Sequence, residues 1–134
     1  GQKSCGFSTE KPWLNMTEEH PKVNAVDQVG REGSIYQFYK EMINFRQNSE
    51  YKNCLVFGNI EPMESSENVI AYRRYTEDES IECWFNLGAE EVTEELKDSN
   101  VEVIWGNMRQ VELKQDHLTL KPFQTVLLKE KKED

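Results

Sequence analysis

The sequence predicts a mainly β chain: a C-terminal antiparallel β-sandwich of about eight strands with Greek-key-like wiring, preceded by an irregular segment and one α-helix. Three observations predict it. Period-2 alternation begins near Cys54 and recurs in short runs to the end of the chain. The connections between those runs are short and built from turn formers, which favours antiparallel neighbours. A single stretch, residues 34–46, has helical spacing instead.

Residues 1 to about 32 show little periodicity and carry Gly6, Pro12, Pro21 and Gly30, the marks of an irregular segment. They also hold Phe7, Trp13, Leu14, Val23 and Val26, too much apolar material for a tail without a surface to lie on. In the helix that follows, Ile35, Phe38, Tyr39, Met42, Ile43 and Phe45 share a face, with Gln37, Lys40, Glu41 and Asn44 on the other. Gly33 suits a chain turning into a helix, and Ser34 with Gln37 spells a capping box. A helix of this length needs a partner surface to realise the burial of that face.

After a polar turn at 48–53, the strands are read at residues 54–60, 68–76, 80–87, 91–96, 101–105, 109–114, 117–120 and 123–129. The core is expected on the face carrying Ile81, Cys83, Phe85 and Leu87, on the one carrying Val101, Val103 and Trp105, and along Leu118 and Leu120. The organisation is thus residues 1–48 as segment plus helix and 49–134 as sandwich, with a charged tail, KEKKED, at the end.

With 134 residues the chain has room for one real core. Sixteen Lys and Arg against 25 Asp and Glu give a net charge of −9, a field that repels nucleic acid and anionic membranes, so neither is an expected partner. No run reaches membrane-span length and the first residues lack the apolar middle of a secretory signal. Cys5, Cys54 and Cys83 are odd in number and far apart, which favours free thiols and a reducing, cytoplasmic setting. Asn15-Met16-Thr17 is a sequon that composition alone can produce.

Chemistry-bearing motifs are scarce. The carboxylate pairs Glu90/Glu91 and Glu94/Glu95 are expected as solvated surface in so acidic a chain, and a glycosidase pair needs a rigid frame that splits two pKa values. His20 and His117 stand apart without zinc spacing, so no metal and no cofactor are expected. No phosphate-cradling glycine motif or GxSxG elbow occurs. Trp84 and Trp105 fit a core better than a sugar-stacking platform, though a carbohydrate-binding β-module is the alternative they raise. No catalytic residue is assigned.

Several stretches together carry a resemblance. Cys5-Gly6-Phe7-Ser8 with Lys11-Pro12-Trp13-Leu14 resembles the NAGF…PW segment after the last barrel strand of α-glucosidases in the α-amylase superfamily, close to oligo-1,6-glucosidase. Lys22-Val23-Asn24-Ala25 resembles its EINV stretch, and residues 34–46 resemble its last barrel helix. Leu55-Val56-Phe57-Gly58, residues 68–74 and Leu120-Lys121-Pro122-Phe123 resemble landmarks of its C-terminal β-domain. The resemblance implies the end of a truncated (β/α)8 barrel followed by that domain, in a retaining enzyme whose catalytic carboxylates lie earlier and match no position here. It also implies an oligosaccharide substrate bound through the missing catalytic domain, with Phe7 and Trp13 near the cleft. A non-catalytic amylase-like partner protein is the remaining alternative. The uncovered helix face predicts self-association of the isolated fragment into a homo-oligomer.

Overall fold

The computed structural model describes residues 8–19 and 21–131. The chain divides into two compact units, residues 1–45 and 46–134.

In the first unit a one-turn helix, α1 (Ala25–Gln28), starts at Asn24, whose side-chain oxygen accepts from the Asp27 N–H at 3.1 Å. Gly30 and Gly33 take φ of 73° and 74°, a left-handed backbone that suits glycine, and lead into α2 (Ile35–Asn48). Ser34 caps α2: its Oγ accepts from the Gln37 N–H at 3.2 Å and donates to the Gln28 carbonyl at 2.8 Å. The reciprocal half of the expected capping box is replaced. Gln37 reaches forward to Glu41, the Ser34 N–H donates to the Arg31 carbonyl, and the Tyr36 N–H donates to the Gln28 side chain. The expected apolar stripe is present but no α2 residue is buried; Ile35, Tyr39 and Ile43 are each more than half exposed.

The second unit is the sandwich. Eight antiparallel strands form two sheets among the described residues: β1 (Asn59–Pro62), β2 (Val69–Tyr75), β3 (Ser80–Asn86), β8 (Thr125–Glu130) and β5 (Val101–Gly106) in that order, and β4 (Val92–Glu95), β7 (His117–Leu120) and β6 (Glu112–Lys114). The chain crosses between sheets after β3, β4, β5 and β7. Pro62 closes edge strand β1, where a missing N–H is tolerated.

One predicted strand begins differently. Residues 54–57 belong to a single π-helical turn (Asn53–Phe57), and only then does β1 start. Its apolar run CLVF is equally at home in either conformation, and the turn is held from outside: the Arg46 guanidinium donates to the Leu55 carbonyl, and Arg74 donates to the carbonyls of Cys54 at 3.5 Å and Val56 at 3.3 Å.

Val101, Leu118 and Leu120 lie in the inter-sheet core as expected, but β3 turns to it the face opposite the one expected. Between the sheets pack Val69, Ala71, Trp84, Val101, Val126 and Leu128 from the larger and Leu118 and Leu120 from the smaller, with Leu96 closing one end. Ala71, Trp84 and Val126 lie opposite one another in register. Ile81, Cys83, Phe85 and Leu87 occupy the outer face of β3; Ile81 and Cys83 are buried there, whereas Leu87 is 58% exposed. Nor do Val101, Val103 and Trp105 share a face. An extra residue, Ile104, bulges between Val103, paired with Leu128, and Trp105, paired with Leu127, so Trp105 is turned to the outer side.

Candidate functional site

Phe7 and Trp13 are the two sequence-expected site residues. Phe7 lies outside the described residues. Trp13 stands on the irregular segment with 92% of its surface exposed. Among the described residues no group of three His, Cys, Asp or Glu side chains is arranged to hold a metal, and no helix is long and apolar enough to cross a membrane.

Trp84 is the larger side chain at the centre of the inter-sheet core, 2% exposed, and its indole N–H donates to Glu82 at 2.9 Å. It is closed to a sugar ring. Trp105 is half-buried. On the outer face Tyr72 stacks on Phe85 with ring centroids 5.6 Å apart.

Buried polar groups serve the fold. Glu94, expected at the surface, is buried and accepts the Ser66 N–H at 2.9 Å, tying β4 to the connection before β2. Gln124 receives the Lys121 N–H and donates to the Gln110 carbonyl, each at 2.9 Å. Glu82 is the described carboxylate held above its ordinary range, chiefly by burial, with the Trp84 bond opposing. Only 6% of it is exposed, so it cannot act on substrate as a general acid. The two described thiols, Cys54 and Cys83, are likewise inert. Burial raises Cys54 and pushes Cys83 up to about 11, so neither is a thiolate at neutral pH. Burial first and Cys83 next push Tyr72 up to about 12.

One described concavity stands apart from the core, an open cavity of about 350 Å³ at the hairpin end of the larger sheet. Tyr75 and Ser80 face each other there, with Arg73 and Glu82 the next pair on the same face. The Arg73 guanidinium lies 5.0 Å from the centre of the Tyr75 ring, and Lys129 pairs with Glu79 at 3.3 Å. Sequence reading missed this group because strand register, which it lacked, is what assembles it.

Neither a catalytic carboxylate pair nor a nucleophile with its base is assembled among the described residues, so comparison with other proteins carries the functional question. Residues 1–54 match the family described as "Alpha amylase, catalytic domain". The oligo-1,6-glucosidase of Bacillus cereus is 27% identical over 96% of this chain and 23% of its own length. The chain is thus similar to an oligo-1,6-glucosidase, and its first 54 residues to the α-amylase catalytic-domain family. A probable α-glucosidase of Rhizobium meliloti is 31% identical over 76% of this chain and 18% of its own length. The trehalulose synthase MutB of Pseudomonas mesoacidophila superposes with a TM-score of 0.78 at 27% identity, over 92% of this chain and 23% of that one. The chain thus spans roughly a fifth to a quarter of the length of these proteins.

Proposed function

We propose that this chain is the C-terminal part of a retaining α-glucosidase that hydrolyses short α-glucosides, α-1,6-linked ones foremost. The observation that carries the reading is the match over 96% of this chain to 23% of an oligo-1,6-glucosidase, with residues 1–54 falling in a catalytic-domain family. The two catalytic carboxylates of such an enzyme belong to the barrel, and this piece supplies its last helix and the supporting sandwich. The exposed face of α2, Ile35, Phe38, Tyr39 and Ile43, supports that role, since an apolar strip of this kind calls for a cover. The free, buried Cys54 and Cys83 support a reducing, cytoplasmic location.

The test is hydrolysis of p-nitrophenyl α-glucoside and isomaltose by this chain alone and by the same chain preceded by a catalytic barrel. Turnover by the longer protein alone is expected. A well-folded longer protein silent on both substrates overturns the reading in favour of a non-catalytic partner protein. The same exposed face supports self-association of the isolated chain. Sedimentation should show a dimer or larger species that Ile43→Glu disperses, and a strict monomer at high concentration refutes this.

A further inference from the structure

We propose that the cavity at the hairpin end of the larger sheet is a binding site for a small neutral saccharide. Three observations lead there.

The first is shape. Beyond the Ala71–Trp84 pair packed in the core, the inner face continues as the pairs Arg73–Glu82 and Tyr75–Ser80 and opens into about 350 Å³, within the range of small-ligand sites and roomy for one or two pyranose rings. The second is charge. Three cationic and four acidic side chains line it, and two of the cations are already engaged, Arg73 with Glu61 and Lys129 with Glu79. That leaves Lys131 with Glu77, Asp78 and Glu130, a lining that disfavours an anion, whereas a polyol, which donates and accepts at every hydroxyl, matches it. The third is an orphan. The Ser80 hydroxyl, in a residue lining this cavity, is buried without a hydrogen-bond partner, a state that native structures rarely leave uncompensated. The Tyr75 ring, whose centre lies 5.0 Å from the Arg73 guanidinium, is the aromatic surface in this lining against which the C–H face of a sugar would pack.

The choice of glucosides as probes rests on the glucosidase reading, while the site itself does not. The experiment titrates isomaltose and maltose into the ¹⁵N-labelled 134-residue chain and follows backbone amide shifts. Shifts confined to residues 73–80 and 129–131, saturating with a dissociation constant of about 1–10 mM, are expected. Tyr75→Ala should weaken binding at least about tenfold, the loss of roughly 1.4 kcal/mol of contact. If that variant unfolds, the wild-type shift map decides alone. No shifts at saturating sugar, shifts scattered over the sandwich, or the same shifts produced by inorganic phosphate would overturn the proposal. Hydrolysis by the longer enzyme is measured separately, so a silent titration leaves the glucosidase reading standing.

Discussion

The indole N–H of Trp84 donates to the carboxylate of Glu82, two residues away on the same face of β3, at 2.9 Å, and both side chains are buried. A single hydrogen bond offsets only part of the cost of taking a carboxylate out of water, so burial wins and the folded-state pKa of Glu82 lies above its ordinary value. A carboxyl that binds its proton more tightly when folded contributes stability that is fully present below the unfolded-state pKa and is lost as pH rises through the raised folded-state pKa. Glu82→Gln keeps an acceptor for the indole and removes the charge. The variant should melt higher than wild type at pH 7, by several degrees if about 1 kcal/mol is recovered, and the gap should close toward acid pH. Thermal melts across that window check it; a variant that melts lower at pH 7 would show that the ionised carboxylate is stabilising.

The position of the core gives a second prediction. Leu118 is fully buried between the sheets, whereas Leu87, on the face that alternation favoured, is mostly exposed. Leu118→Ala should cost about 2–5 kcal/mol of unfolding free energy, and Leu87→Ala no more than about 0.5 kcal/mol. Urea unfolding of both variants measures the difference directly, and comparable losses would return Leu87 to the core.

Those two leucines show where the sequence was legible. Period 2 marked β2, β3, β5 and β7 to within a residue or two because each has one clean apolar set. It could not choose between the faces of β3, which is covered on both sides: Ile81 and Cys83 are buried outward, and Trp84 is buried inward between the polar Glu82 and Asn86. Those polar neighbours disguised the core face, and their partners are set by tertiary structure. The bulge at Ile104 inverted the reading of β5 for the same reason, since nothing in VEVIWG marks the extra residue. The π turn was hidden because the arginines that hold it come from positions 46 and 74. The apolar stripe of α2 was the opposite case, plain in the sequence yet uncovered in the structure. The saccharide site was illegible because Tyr75, Ser80 and Arg73 meet only through strand register.

Gly58 provides the third prediction. It follows the π turn directly, and a Cβ built there would lie 2.4 Å from the Cys54 carbonyl oxygen and 2.8 Å from that of Tyr75. Both atoms are backbone, so neither can swing aside, and the Gly58 N–H itself donates to the Cys54 carbonyl at 3.0 Å. Gly58→Ala should cost about 3 kcal/mol or more by forcing the π turn off β2. Gly88→Ala is the control: its Cβ would meet only the side chains of Asn68 and Asn86, each at 3.2 Å, and the loss should be clearly smaller. Equal losses in calorimetry would mean that the close approach at Gly58 is not what excludes a side chain.

Asn86 closes the argument, because it is the polar residue that fastens the two sheets at this end. From the last position of β3 its amide nitrogen donates to the carbonyls of Glu90 at 2.7 Å, Lys121 at 3.0 Å and Leu120, the end of β7, at 3.2 Å, while its oxygen accepts the Gly88 N–H at 2.9 Å. Three carbonyls around one atom fix that atom as a donor. Asn86→Asp has the same shape but sets a carboxylate oxygen against three carbonyl oxygens in a residue that is 1% exposed. The variant should lose about 3–5 kcal/mol at neutral pH, the scale of an uncompensated buried charge. Protonation restores a donor, so its carboxyl pKa should be raised in the folded state. Stability should therefore recover as pH falls toward the unfolded-state pKa of Asp, where the wild type shows no such gain from this position. Denaturant midpoints for both proteins at neutral and acid pH measure the recovery. A variant equally weak at both would mean that Asn86 holds the sheets by its packing and not by its donors.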